Sequence, residues 1–131
     1  MKFKKMYKIY KKVVEQDMNL ECFFQSDPML KSFVKWYNEF PDFEAEYISE
    51  LGYTNVINIE LSSVLYNMTE IPVPQYIKNA FVIGNDAGDN LYIFVYSNVN
   101  YKSGIYTIDD TLSINSLEYV SASLDDLFLI T

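Results

Sequence analysis

The chain has 131 residues, of which 50% are apolar and 21% are charged, a size and composition typical of a single folded domain. It contains no histidine, no arginine and one cysteine, Cys22, which excludes an internal disulfide and the Ser-His and Cys-His pairs of common hydrolases. We therefore expect one domain over residues 1–131, with Cys22 as a buried packing residue rather than a nucleophile.

The charged residues are distributed unevenly along the chain. Six of the ten lysines lie in residues 1–12, whereas all 18 acidic residues follow, so that residues 13–131 carry a net charge of −14. This charge disfavours DNA and RNA as partners, because nucleic-acid binding requires cations that displace counterions from the phosphates. It favours a basic protein as partner. The alternative interpretation is that the acidic residues serve only solubility.

Long apolar segments are missing from the chain. Its longest apolar runs fall far short of the roughly 18–20 residues that cross a bilayer. Lys8, Lys11 and Lys12 interrupt the region where a signal peptide would have its apolar core. The sequence thus predicts a cytoplasmic protein without a membrane partner.

The first half of the chain predicts helices. Residues 3–14 have the spacing of an amphipathic helix, which would pack on the acidic body or, alternatively, lie on a membrane surface. Asp27 as N-cap and Pro28 at the first helical position predict a second helix that ends at Pro41. Residues 42–51 fit a helix or a strand, and we favour a helix capped by Gly52. The apolar residues of the first helix are Phe3, Met6, Tyr7, Tyr10, Val13 and Val14.

One face of the second helix is predicted to belong to the core. Leu30, Phe33, Val34 and Tyr37 share this face, and Trp36 lies near it. We interpret Trp36 as a core anchor rather than as a platform for a ligand.

A strand and a short helix are predicted next. The alternation of apolar residues over 56–61 is typical of a strand, and Ser62 or Ser63 is expected to cap a short helix after it. Pro72 and Pro74 predict an extended connection without regular structure.

The rest of the chain predicts a meander of strands. Residues 80–84 and 91–96 are predicted to form two strands that are joined by the turn-forming loop 85–90. Further strands are expected at 105–108 and near 117–120, followed by a helix that Ser121 or Ser123 caps. Helices, then strands, then one helix indicate an α+β domain with helices packed on a mainly antiparallel sheet.

Catalytic chemistry has few candidates in this sequence. The acidic pairs Asp86 with Asp89 and Asp109 with Asp110 lack the spacing of a metal site, and the glycines are too few for a phosphate-binding loop. We predict no catalytic residue, no metal ligand and no cofactor. An enzyme that uses a carboxylate-bound metal is the remaining alternative.

Three segments of the second half resemble the SUKH superfamily pattern. They are VINIELSSVLYN at 56–67, FVIGNDAGDNLYIF at 81–94 and SASLDDLF at 121–128. In that pattern a strand leads into a short helix, a glycine-containing turn joins two strands, and a capped helix closes the domain. The N-terminal helix that is usual in the family is matched only weakly in this sequence, because Glu39 and Phe40 occupy positions where glycines are expected.

The resemblance implies a mixed, mainly antiparallel sheet with helices around it. It further implies that the protein is a bacterial immunity protein, which binds and neutralises a cognate protein toxin and has no enzymatic activity. The acidic body is consistent with a basic toxin. A regulatory scaffold that binds other intracellular proteins is the alternative role within the wider family.

The contact residues for such a partner are predicted on the central hairpin. Tyr92, Phe94 and Tyr96 point to one side of their strand, and tyrosine is frequent at interfaces. Together with Asp86 and Asp89 in the turn, they form the predicted partner-binding set. The alternative is that a second layer of structure buries the aromatic rings.

Overall fold

The computed structural model describes residues 6–48 and 51–128. Seven strands and five helices follow one another in this part of the chain. The strands are β1 (Met6–Lys12), β2 (Asp42–Ile48), β3 (Thr54–Glu60), β4 (Ala80–Asn85), β5 (Asn90–Val95), β6 (Gly104–Asp109) and β7 (Glu118–Ser121). The helices are α1 (Met18–Gln25), α2 (Lys31–Glu39), α3 (Val64–Glu70), α4 (Val73–Tyr76) and α5 (Leu124–Leu127).

The strands form one sheet whose spatial order, β1-β2-β3-β4-β5-β6-β7, repeats the chain order. Every pairing among the described strands is antiparallel. The predicted α+β domain is confirmed, while the described sheet is purely antiparallel rather than mixed. Only two register pairs, Asn58 with Asn85 and Ile59 with Gly84, join β3 to β4. This narrow junction divides the sheet into a β1–β3 half and a β4–β7 half.

The main hydrophobic core lies on one face of the sheet, under α1, α2, α3 and α5. A second, smaller cluster lies on the opposite face and contains Val73 and Ile77 from the α4 segment. All the strand residues of this second cluster come from β4, β5, β6 and β7. The β4–β7 half is therefore buried on both faces, whereas the β1–β3 half is packed on one.

The predicted N-terminal helix is wrong, because residues 6–12 form the strand β1. Ile9 packs on the main core, while Tyr10 and Lys12 lie on the other face and are exposed. The apolar spacing is compatible with a helix and with a strand, and the partner that decides, β2, is distant along the chain. Val13 is 98% exposed and joins no core. Phe3 lies outside the described residues.

The helix favoured for residues 42–51 is also wrong, since Asp42–Ile48 is the strand β2. Phe43 and Ala45 are fully buried, and the glutamates between and after them are only partly buried. Such alternation is typical of a strand with one face towards the core. Residues 49 and 50 lie outside the described part. Gly52 has a φ of 85° in the connection to β3, a conformation that glycine adopts readily.

The second predicted helix is confirmed as α2. The Asp27 carboxylate accepts a hydrogen bond from the Met29 N–H at 2.8 Å, and the turn Pro28–Leu30 continues directly into the helix. Phe33 and Tyr37 are buried, as predicted. The Asp-Pro pair was sufficient to predict the start of this helical segment, because both residues act only on the neighbouring backbone.

The helix α1 has no counterpart among the sequence predictions. Asp17 caps it by accepting a hydrogen bond from the Asn19 N–H at 2.9 Å. Leu20 and Phe24 turn inward and are fully buried. Cys22 lies between them on the outer side and is exposed, which contradicts the predicted burial of its thiol.

The hairpin of β4 and β5, the strands β3, β6 and β7, and the last helix are confirmed. Ser123 caps α5 by accepting a hydrogen bond from the Asp126 N–H at 3.2 Å. Neither Ser62 nor Ser63 caps α3 with its side chain. The prolines do not prevent regular structure, since Pro74 lies in the first turn of α4, where a missing N–H costs little.

The Ser62 side chain instead binds Asp42 at the start of β2. The Asp42 carboxylate accepts hydrogen bonds from the Ser62 N–H at 3.0 Å and from the Ser62 hydroxyl at 2.6 Å. The adjacent Leu61 N–H donates to the Pro41 carbonyl oxygen at 2.9 Å. Asp42 is 9% exposed, so these contacts are shielded from water. They join β2 to the turn that follows β3.

Replacing Asp42 with alanine is expected to lower the free energy of unfolding by about 1.5–3 kcal/mol, because hydrogen bonds to a charged group are lost in a shielded place. Urea denaturation followed by circular dichroism measures the change. The exposed Asp89→Ala variant is the control, with an expected change within about 0.5 kcal/mol. Equal stability of the two variants would contradict the role of Asp42.

Candidate protein-binding surface

The loop that joins β4 to β5 carries two of the predicted contact residues. Asp86 accepts hydrogen bonds from the Gly88 N–H at 2.8 Å, the Asn90 N–H at 3.2 Å and the Asn90 side-chain amide at 3.0 Å. Its carboxylate therefore holds the loop in shape. Asp89 is exposed at the tip of the same loop. Of the two residues, Asp89 is thus the one whose side chain is presented to solvent.

A second connection meets this loop at the same end of the sheet. The Asp110 N–H donates to the Asp89 carbonyl oxygen at 2.7 Å, and the Asp110 side chain is exposed. The Asp109 carboxylate accepts hydrogen bonds from the Ser113 N–H at 3.0 Å and the Thr111 hydroxyl at 2.7 Å. These bonds favour the ionised form and lower the pKa of Asp109. We call the region that contains Asp86, Asp89, Asp109 and Asp110 the acidic end.

The lowered pKa of Asp109 predicts a pH-dependent contribution to stability. The ionised carboxyl stabilises the fold fully above its unfolded pKa of about 4, and the contribution is lost as the pH falls through the lower folded pKa. Wild type is therefore expected to exceed Asp109→Asn in unfolding free energy at pH 7, with a smaller difference at pH 3. Urea titrations of both proteins at the two pH values measure this. A difference that is unchanged at pH 3 would contradict the prediction.

The aromatic side of β5 lies in the main core. Tyr92 is 3% exposed and Phe94 is 4% exposed, and the Phe33 ring of α2 packs edge-on against Phe94 with 4.8 Å between ring centroids. Tyr96 is half-buried, and burial together with the negative charge of Asp27 raises its pKa. Burial by a second layer, the alternative considered for these rings, is what the structure shows for Tyr92 and Phe94.

The five predicted contact residues are therefore not one patch. Asp86 and Asp89 lie before β5, Tyr96 follows its opposite end, and Tyr92 and Phe94 belong to the core. Direct contact with a partner is open to Asp89 and, in part, to Asp86 and Tyr96. The residue that the structure does bring next to Asp89 is Asp110, because the register of the strands places both at the same end of the sheet.

A surface that the sequence predictions missed lies on β1, β2 and β3. The side of these strands opposite the main core contains partly or fully exposed residues in every strand. We call it the open face. Its partly or fully exposed members are Tyr10, Lys12, Glu44, Glu46, Ile48, Thr54, Val56, Asn58 and Glu60. Lys8 and the shielded Asp42 occupy register positions on the same side. The sequence pattern that could have predicted this surface is the alternation of apolar and acidic residues over 43–46, which indicates a strand with one face exposed to water.

The open face continues into the acidic end through a pair of amides. The Asn58 side-chain N–H donates to the Asn85 side-chain oxygen at 3.2 Å across the β3–β4 junction. The same Asn85 oxygen accepts a hydrogen bond from the Ala87 N–H at 2.9 Å. The loop that carries Asp86 and Asp89 is thereby connected to the surface of β3.

A polar groove lies elsewhere, beside the connection from β1 to α1. The Tyr37 hydroxyl in this groove accepts a hydrogen bond from the Asp17 N–H at 2.8 Å. The groove contains two carboxylates, which disfavour an anionic ligand. Its lining residues are Glu15, Gln16, Asp17, Met18, Tyr37 and Ser62.

Metal-binding side-chain groups and membrane-spanning helices are both absent from the described ranges. Among these residues, no group of three or more His, Cys, Asp or Glu side chains could hold a metal ion. Likewise, none of the described helices is long and apolar enough to cross a membrane. No protein-family model, no curated protein and no solved structure matches this chain.

Proposed function

We propose that this chain is a non-enzymatic immunity protein of the SUKH type, which binds a basic protein toxin in the cytoplasm and neutralises it. The observation that carries the proposal is the concentration of negative charge: residues 13–131 contain four lysines and all 18 acidic residues. The likeness of residues 56–67, 81–94 and 121–128 to the SUKH pattern supports the same role.

The arrangement of the charge suits recognition of a cationic protein surface. Asp89 and Asp110 are exposed and belong to two connections that touch each other. A potential of one sign attracts a partner of the opposite sign and raises the association rate, most strongly at low salt. Neutralisation then requires only that the bound protein covers or distorts the functional site of the toxin.

The proposal is tested with the protein encoded by the adjacent gene. We expect the two purified proteins to form a complex, and co-expression to restore growth to cells that the adjacent protein inhibits. Failure of both binding and rescue would overturn the proposal. Binding to an adjacent protein that has no toxicity would instead indicate the alternative role, a regulatory scaffold.

A further inference from the structure

We propose that the open face of β1–β3 is the principal contact surface for the basic partner. This inference rests on the proposed function, and it adds the place of the interface. It moves the interface from the aromatic side of β5, which the core occupies, to a part of the sheet that no sequence prediction singled out.

The first support is the contrast between the two sides of the same strands. On the core side, Phe43, Ala45, Ile57 and Ile59 have no exposed surface. On the open face, the residues between them are partly exposed, and Ile48 at the end of β2 is 46% exposed. The second hydrophobic cluster, which covers this side of the sheet over β4–β7, has no member among the described side chains of β1, β2 and β3. The open face is thus a hydrogen-bonded surface whose described side chains are partly or fully exposed to solvent.

The second support is the charge of the open face. By register, this side of the strands has four carboxylates, Asp42, Glu44, Glu46 and Glu60, of which Asp42 is shielded, against two lysines, Lys8 and Lys12. Glu44 and Glu46 are two residues apart on one strand, so their side chains point the same way at a spacing of roughly 7 Å. A cationic protein surface complements this row, whereas a second copy of the same face would repel it.

Apolar and amide groups accompany the carboxylates. Tyr10 is 37% exposed, and Val56 lies partly exposed on the central strand β3. The paired amides of Asn58 and Asn85 lie at the margin towards β4. Tyrosine and aliphatic groups supply the apolar centre that specific interfaces need, and the surrounding charges supply orientation.

The size of the open face determines how far the interface must extend. Seven-residue strands at about 3.3 Å per residue, with about 4.8 Å between strands, give roughly 23 Å by 14 Å from β1 to β4, on the order of 320 Å². A standard interface buries about 800 Å² on each partner. The contact therefore continues past the Asn58–Asn85 pair to the acidic end, where Asp89 and Asp110 would form its rim.

The experiment reverses the charge of the central row. The variant Glu44→Lys/Glu46→Lys is compared with Glu39→Lys/Glu70→Lys, which makes the same change in net charge at the exposed last residues of α2 and α3. The probe is the adjacent-gene protein, purified with its toxic activity inactivated. Surface plasmon resonance at two salt concentrations measures the rate and equilibrium constants. Thermal unfolding by circular dichroism verifies that each variant is folded.

We expect the β2 double variant to lower the association rate constant by tenfold or more, since steering changes association rates by roughly 10–10³-fold. The helix-side double variant is expected to lower it by less than about threefold, because exposed charges beyond a Debye length of roughly 10 Å are screened. If Glu44→Lys/Glu46→Lys does not fold, the neutral variant Glu44→Gln/Glu46→Gln is used, with an expected loss of at least threefold.

The possible outcomes distinguish the proposed interface from the proposed function. Wild-type binding with equal losses in the β2 and helix-side variants would overturn the open face as the interface and leave the proposed function intact. Absence of wild-type binding would overturn both. A dimer of the free protein that the β2 double variant abolishes would assign the open face to a second copy and overturn the inference as well.

Discussion

Replacement of Trp36 with alanine is expected to lower the free energy of unfolding by about 3–5 kcal/mol, the usual cost of truncating a buried large aromatic residue. Trp36 is 5% exposed, and its ring stacks on Phe43 with 5.6 Å between centroids. Its indole N–H donates to the Asp125 carboxylate at 3.1 Å. The side chain therefore joins α2, β2 and α5, and its loss leaves a cavity and removes the hydrogen bond to Asp125.

Two controls separate these contributions. Trp36→Phe keeps most of the apolar contacts but removes the indole donor, so it is expected to cost less than Trp36→Ala. Tyr66→Ala truncates an aromatic residue that is 67% exposed, with an expected change within about 0.5 kcal/mol. Trp36 is the only tryptophan of the chain, so circular dichroism in urea replaces fluorescence for these variants. A Trp36→Ala protein as stable as Tyr66→Ala would refute the role of Trp36 as a core anchor.

Replacement of Gly84 with alanine is expected to lower the free energy of unfolding by about 3 kcal/mol, the upper end of the usual cost of overpacking. A Cβ atom at Gly84 would collide with the backbone carbonyl oxygen of Asn58. Because this obstacle is backbone, it cannot move aside as the end of a flexible side chain can. The collision falls on the two-pair junction between β3 and β4, where the sheet has the fewest pairings.

The loop that follows β4 offers a matched control in Gly88. A Cβ at Gly88 would meet only the Asp86 side chain, with its nearest oxygen at 3.2 Å. We expect Gly88→Ala to change the free energy of unfolding by less than about 1 kcal/mol. Hydrogen exchange gives a second readout, since Gly84→Ala should accelerate exchange at Asn58 and Ile59. Equal stability of the two variants would show that the junction tolerates a side chain.

These two positions also connect stability to the proposed interface. Gly84 allows β3 and β4 to approach, and the Asn58–Asn85 pair beside it joins the open face to the acidic end. Trp36 anchors the helices on the opposite side of β2. Among the described residues, no second core covers the open face, and the main core supports β2 and β3 from the other side, with Phe43, Ala45, Ile57 and Ile59 fully buried.

The candidate site was predictable only in part. The polar turn 85–90 correctly indicated exposed carboxylates at a hairpin tip, and Asp89 is exposed there. The aromatic residues of β5 were ambiguous, because an alternating strand with two apolar faces does not reveal which face a helix covers. The burial of Tyr92 and Phe94 in the main core, where Phe33 of α2 packs on Phe94, resolved this. The meeting of Asp110 with Asp89 depends on strand register, which no local pattern encodes.

The sequence by itself determined the charge of the body, the absence of histidine and arginine, the hairpin of β4 and β5, and the turn capped by Asp27 that leads into α2. Turns and caps depend on neighbouring residues, so their signals are complete within a few positions. Only the tertiary structure decided that residues 6–12 and 42–48 are strands. The strand β1 pairs with β2, which is distant in sequence, and β2 pairs in turn with the following strand β3. These pairings create the open face of β1–β3.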